Sequence, residues 1–171
     1  MKSSKELLRR AKQIRFLLLD VDGVLTDGLI YLDSDGREIK AFHIHDGHGL
    51  YLLQKTGIQV GWVSGRSSRI VDSRAKELEI TEVHQGVHEK LHVYLNLLKK
   101  YKLQDQQMAY MGDDLIDIPI LERAGLAIAV ANAVEAVKTK AHMMTRHPGG
   151  EGAVREIADF LISVQKRGGC G

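Results

Sequence analysis

Short apolar runs alternate along this chain with segments whose apolar residues recur every three or four positions. The clearest run, Phe16-Leu17-Leu18-Leu19, holds no polar residue and stops abruptly at Asp20-Val21-Asp22-Gly23. Continuous apolar runs of this length mark strands buried on both faces. The pattern predicts strands over about Arg15 to Leu19, Ile58 to Val63, Gln107 to Met111, Leu126 to Val130 and His142 to Thr145, with a shorter one near Val83. Helical spacing fills the intervals: Ser3 to Gln13, opened by the capping box Ser3-x-x-Glu6, then Asp46 to Thr56, closed by Gly57. Further helices are predicted over Ser67 to Leu78, His88 to Tyr101, Leu115 to Ala124, Val134 to Lys140 and Glu151 to Gln165. Strands that alternate with helices predict an α/β fold, a Rossmann-like open, mostly parallel sheet with helices on both faces.

One segment breaks the alternation. Leu29 to Asp33 and Glu38 to His45 are β-prone and flank Ser34-Asp35-Gly36-Arg37, an Asp-Gly turn that predicts a β-hairpin. This insertion, about residues 28–45, is too small to be a domain of its own. The expectation is one domain over residues 1–171, with a frayed Gly-rich tail from Gly168 to Gly171.

Composition narrows the classes. The 171 residues are 44% hydrophobic and 27% charged, ordinary values for a globular domain, and large enough for a core. A net charge of +2, with no basic block interleaved with aromatics, argues against nucleic acid as a partner. The single cysteine, Cys170, excludes an internal disulfide. No secretory signal or membrane span is legible, so a cytoplasmic protein with no membrane partner is expected.

The candidate chemistry begins at Asp20 and Asp22. Ligands of open α/β sheets bind outside the carboxyl ends of strands, where this run delivers two carboxylates. Such close acids repel unless a cation sits between them, which points to a hard metal with oxygen ligands and to phosphoryl chemistry. Ser64 in Trp62-Val63-Ser64-Gly65-Arg66, Lys90 in His88-Glu89-Lys90, and Met111-Gly112-Asp113-Asp114-Leu115-Ile116-Asp117 follow in order. This four-part pattern resembles the haloacid dehalogenase superfamily of phosphatases over nearly the whole chain. The resemblance implies that Asp20 is the nucleophile and that Asp22 is the general acid and base. It implies that Ser64 binds a phosphoryl oxygen and that Lys90 balances the clustered charge. Asp20, the backbone carbonyl of Asp22, and Asp113 would hold the metal, with Asp114 and Asp117 behind them; oxygen ligands beside phosphate favour Mg²⁺.

The resemblance narrows to superfamily members that hydrolyse 3-deoxy-D-manno-octulosonate 8-phosphate, a small sugar-acid phosphate whose product enters bacterial lipopolysaccharide. It rests on Asp20 to Gly28, the short hairpin, Phe42 to Gly47, Gln85-Gly86 and the Gly-rich tail. It implies substrate contacts from Asp22, His43, Ile44, His45, Asp46, Gly47, Arg66, Arg74 and Lys90, although Tyr51 stands where some members carry arginine. Members lacking a cap domain often close their sites by assembly, so a homotetramer built on the hairpin is expected. The segment His147 to Arg155 would reach a neighbouring subunit's site. Arg66 favours the eight-carbon substrate over nine-carbon sugar-acid 9-phosphates, whose enzymes carry an acid there. A phospho-receiver module and a catalytically silent domain of the same fold are the other readings. His43 and His45 point the same way if Glu38 to His45 is a strand, but no cysteine or carboxylate cluster completes a zinc site with them.

Overall fold

The structure, a computed structural model, describes residues 4–168. Ser3 of the expected capping box, Cys170 and the tail residues 169–171 lie outside the described residues. Six parallel strands form the sheet: β1 (Phe16–Asp20), β4 (Gln59–Val63), β5 (Glu82–His84), β6 (Met108–Gly112), β7 (Leu126–Ala129) and β8 (Met143–Met144). Their spatial order is β5-β4-β1-β6-β7-β8, and a separate hairpin pairs β2 (Tyr31–Leu32) with β3 (Glu38–Ile39). The fold is the expected open parallel sheet with helices, plus a small antiparallel insertion.

The chain leaves central β1, builds β4 and β5 outward on one side, then crosses to build β6, β7 and β8 on the other. Strand order therefore reverses at β1, the kind of point where open α/β sheets bind ligands. Register aligns the strand ends there: Asp20 pairs with Val63, one residue before Ser64, and Leu19 pairs with Met111, two residues before Asp113. The apolar run of β1 is buried at every position, with Trp62, Tyr110 and Met111 in the same core. Helix α7 (Ala153–Gly168) packs on α1 (Ser4–Gln13) and α2 (Ile44–Gln54). The four-residue α5 (Ile118–Leu121) packs on α4 (Lys90–Tyr101) and α6 (Glu135–Lys140), and α3 (Arg69–Glu77) joins β4 to β5.

Three sequence expectations are corrected. The hairpin's second limb ends at Ile39 rather than His45, because α2 starts at Ile44 with His43 as its cap. Asp46 in that first turn favours the positive end of the helix, and its buried carboxylate also accepts the Arg155 N–H at 2.7 Å. The helix expected over 115–124 is a tight 3₁₀ turn, Leu115–Asp117, followed by α5. Asp117 folds its side chain back onto the N–H groups of Asp113 and Asp114 at 2.9 and 3.2 Å, which tightens that turn. Gly168 is the last residue of α7 rather than part of a tail.

The hairpin turn is held by Asp33, which accepts the N–H groups of Asp35 and Arg37, while Gly36 supplies the left-handed backbone (φ +75°). Its apolar side chains gain little burial. Leu29, Ile30 and Leu32 are each more than 60% exposed, and Ile39 is 54% exposed.

Candidate active site

Two strand ends deliver the acidic side chains. Asp20 closes β1, Asp113 follows β6, and Asp117 returns on the next turn. Lys90, the first residue of α4, is wholly buried, with Nζ 2.7 Å from both Asp20 Oδ1 and Asp117 Oδ1. A cation at a helix's positive end is disfavoured by the dipole, so these carboxylates must hold it there. Asp117 also accepts the Tyr110 hydroxyl at 2.6 Å, so its two oxygens are taken by Lys90, Tyr110 and two backbone N–H groups. Asp117 thus fixes the loop that carries Asp113.

Close approach explains two glycines. A Cβ on Gly23 (φ +94°) would lie 2.0 Å from Asp113 Oδ2, and one on Gly112 would lie 2.6 Å from the Asp117 side chain.

The electrostatics are those of crowded acids. Burial, and then the Asp117 charge, push the Asp20 carboxyl well above its usual range, although Lys90 pulls it back down. Burial and Asp117 likewise push Asp113 up to about 6. Burial works against the Lys90 ammonium, but Asp20 and Asp117 outweigh it and hold Lys90 above the ordinary lysine value. Asp20, Asp113 and Asp117 each offer an oxygen within 4.8 Å of the others, and Asp113 Oδ1 is buried without a hydrogen-bond partner. An all-oxygen set with an orphaned carboxylate oxygen fits a hard divalent cation, Mg²⁺ among them. Asp20 and Asp113 have oxygens to give, whereas Asp117 is already saturated by its own partners.

The Asp22 carboxylate does not join that trio. Its Oδ2 accepts the Ser64 hydroxyl at 3.0 Å, and its Oδ1 meets the Lys40 ammonium. Ser64 is buried just past β4, where its backbone N–H donates to His84 O at 2.8 Å and its Oγ accepts the Arg66 N–H at 3.0 Å. Arg66 is half exposed and pairs with Glu38 of the hairpin, and Glu38 lies 3.4 Å from Lys40. The structure thus brings Asp20, Asp22, Ser64, Lys90, Asp113 and, through Glu38, Arg66 to one end of the sheet.

His43 to Gly47 and Arg74 form a neighbouring group. The Arg74 guanidinium lies so close over Gly47 that a Cβ there would come within 2.3 Å of Nη2, and Nη1 donates to Glu77 at 2.7 Å. The His43 and His45 rings meet edge to face at 5.0 Å across the start of α2, not along a strand, which removes the geometry of the zinc reading. Ile44 is 74% exposed, while Asp46 points inward onto the start of α7. Gly149 and Gly150 pack on their own chain's loop after β1: Gly150 N–H donates to Val24 O at 3.1 Å, and a Cβ on Gly149 would strike Gly23 O. That segment therefore braces the candidate site from within the same chain.

Sequence reasoning missed Lys40, Glu38 and Tyr110. Tyr110 sits inside an apolar strand run and reads as core. Lys40 and Glu38 sit in an insertion that reads as surface. Only the hairpin's length and position, immediately after the Asp-x-Asp pair, hint that it returns to the carboxylates.

This arrangement belongs to a known class. Residues 70–157 match the family of haloacid dehalogenase-like hydrolases, and the chain belongs to it. The 3-deoxy-D-manno-octulosonate 8-phosphate phosphatase of Yersinia pestis is 44% identical over 162 residues, 95% of this chain and 87% of that protein. Its crystal structure superimposes with a TM-score of 0.92, covering 95% of this chain and 88% of that one. The same enzyme from Moraxella catarrhalis, solved with magnesium, phosphate and 3-deoxy-D-manno-octulosonate (KDO), is 40% identical with a TM-score of 0.94, covering 96% and 95%.

The raised Asp113 carboxyl makes a prediction with a definite sign. A folded-state value near 6 exceeds the unfolded value near 4, so this group stabilises the fold at low pH and that contribution disappears as pH rises through about 6. Protein stripped of divalent cations should therefore lose thermal stability between about pH 4 and pH 6, with a smaller loss in Asp113→Asn. Adding Mg²⁺ should reverse the loss at neutral pH. Melting temperatures that are the same function of pH in both proteins contradict this assignment.

Proposed function

We propose that this chain is a Mg²⁺-dependent phosphatase that hydrolyses 3-deoxy-D-manno-octulosonate 8-phosphate to the free sugar acid and phosphate. The observation that carries the reading is the buried Lys90–Asp20 pair beside the orphaned Asp113 oxygen, with the Asp22–Ser64 pair at the adjoining strand end. The identity of about 40% or more to phosphatases of this substrate, over nearly the whole chain, supports the choice of substrate.

Asp20 attacks phosphorus, forming a P–O bond to its carboxylate as the bond to the sugar oxygen breaks. Asp22 gives its proton to that leaving oxygen, then takes one from the water that cleaves the aspartyl-phosphate. Ser64 Oγ and Lys90 Nζ hold phosphoryl oxygens in line with Asp20. Asp20, Asp113 and the Asp22 carbonyl would hold Mg²⁺, which supplies charge neutralisation at the phosphoryl group. In this reading Asp117 and Tyr110 keep Lys90 in place. His43, Ile44, His45, Gly47, Arg66 and Arg74 contact the sugar acid, whose carboxylate suits a guanidinium. Asp46, turned inward, would act by fixing that segment rather than by touching substrate.

The exposed apolar hairpin supports a homotetramer that buries Leu29, Ile30, Leu32 and Ile39. Each subunit acts as a single domain, residues 1–171. A phosphorylated sugar acid does not cross a bilayer unaided, so the reaction is assigned to the cytoplasm. Sedimentation at micromolar concentration should give the mass of four chains; a monomer contradicts the assembly.

The decisive assay compares Mg²⁺-dependent phosphate release from the eight-carbon substrate, nine-carbon sugar-acid 9-phosphates and small sugar phosphates. The expected outcome is strong preference for the eight-carbon substrate and a loss of at least about a thousandfold in Asp20→Asn. A shifted preference overturns the substrate, and activity retained in Asp20→Asn overturns the mechanism.

A further inference from the structure

We propose that Lys40 is a positioning residue that fixes the orientation of the Asp22 carboxyl, so that the hairpin insertion contributes to the catalytic machinery. The inference rests on the reading of Asp22 as acid and base. Lys40 follows β3 at the base of the hairpin, among side chains that are mostly solvent-facing. Its own side chain is only 5% exposed. Lysine is rarely buried without a partner, so what Lys40 meets there must hold it.

Lys40 Nζ meets Asp22 Oδ1 and lies 3.4 Å from Glu38 Oε1. Glu38 is in turn gripped by Arg66 Nη2. The other Asp22 oxygen, Oδ2, accepts the Ser64 hydroxyl at 3.0 Å. The carboxyl is thus held at both oxygens from opposite sides, by the hairpin at Oδ1 and by the end of β4 at Oδ2. With the Ser64 contact alone it could pivot about that single bond. Lys40 removes that freedom, and the Arg66–Glu38 pair braces Lys40.

Orientation matters most when the leaving oxygen needs a proton. In the first step the Ser64 hydroxyl turns from Asp22 to the phosphoryl group, leaving Asp22 protonated at Oδ2 and held by Lys40 at Oδ1; the Asp20 O–P bond forms, the P–O bond to the alcohol breaks, and the Oδ2 proton passes to the departing oxygen. A sugar alkoxide needs that proton badly, whereas 4-nitrophenolate scarcely needs it. Lys40 reaches the reacting atoms only through Asp22, so its loss should scale with leaving-group basicity.

The test measures kcat/KM for Lys40→Met and Lys40→Arg across substituted phenyl phosphates of graded leaving-group pKa, beside the sugar-acid phosphate. This ratio covers the steps through release of the alcohol, so the later hydrolysis does not mask the effect. Lys40→Met should lose less than about threefold on 4-nitrophenyl phosphate and about tenfold or more on the sugar-acid phosphate, with a steeper dependence on leaving-group pKa. Lys40→Arg should recover part of that dependence. If the methionine variant does not fold, Lys40→Gln takes its place with the same expectation.

Equal losses across the phenyl series, or none, overturn the proposal. So does a loss confined to the sugar-acid phosphate with the phenyl series unchanged, since Lys40 would then bind substrate. Activity retained in Asp20→Asn in these assays would instead overturn the underlying assignment of Asp20 and Asp22, and no Mg²⁺-dependent release by the unaltered protein would overturn the phosphatase reading, both independently of Lys40.

Discussion

The site depends on burying one ammonium. Lys90 has no exposed surface, sits at the unfavourable end of its helix, and survives there because Asp20 and Asp117 both lie 2.7 Å away. Those same partners create the opposite problem. Asp20, Asp22, Asp113 and Asp117 crowd four carboxylates against two lysines with buried side chains, Lys40 and Lys90, leaving an excess of two negative charges if all are ionised. Burial, and then that excess, hold the Asp20 and Asp113 carboxyls above their usual range. A divalent cation carries the charge that would balance it.

The surrounding fold supplies rigidity for this balance. β1 is flanked by β4 and β6 in fixed register, so Asp20, Ser64 and Asp113 emerge at matched heights without help from long loops. Glycines at 23 and 112 let the acidic turns close on each other to distances a side chain would forbid. Gly149 and Gly150 then pack on the loop that carries Asp22, which ties the last helix to the site. The hairpin reaches the same site: it delivers Lys40 and Glu38, while its apolar side chains Leu29, Ile30, Leu32 and Ile39 stay exposed.

Most of this was legible in the sequence for a physical reason. Strands buried on both faces write themselves as apolar runs, so β1, β4, β6 and β7 were found, the first three with the candidate site residues at their ends. The errors fall where a polar side chain, not periodicity, decides the backbone. Asp46 starts α2 two residues before the expected position by favouring its first turn and by binding α7, and no local pattern announces a partner 109 residues away. Asp117 converts the start of an expected helix into a tight turn by folding back on the Asp113 and Asp114 N–H groups. Lys40 and Tyr110 carry no local sign of their carboxylate partners, since a lysine in a hairpin reads as solvated and a tyrosine in a buried strand reads as core.

The central claim is that Asp20 takes the phosphoryl group. The most direct measurement is rapid acid quench of the enzyme during turnover with Mg²⁺ and the sugar-acid phosphate, followed by peptide mapping by mass spectrometry. The account predicts a transient phosphoryl adduct on Asp20 that forms and decays fast enough to support the steady-state rate. An adduct on another residue, or turnover with no phosphoenzyme at any quench time, contradicts it.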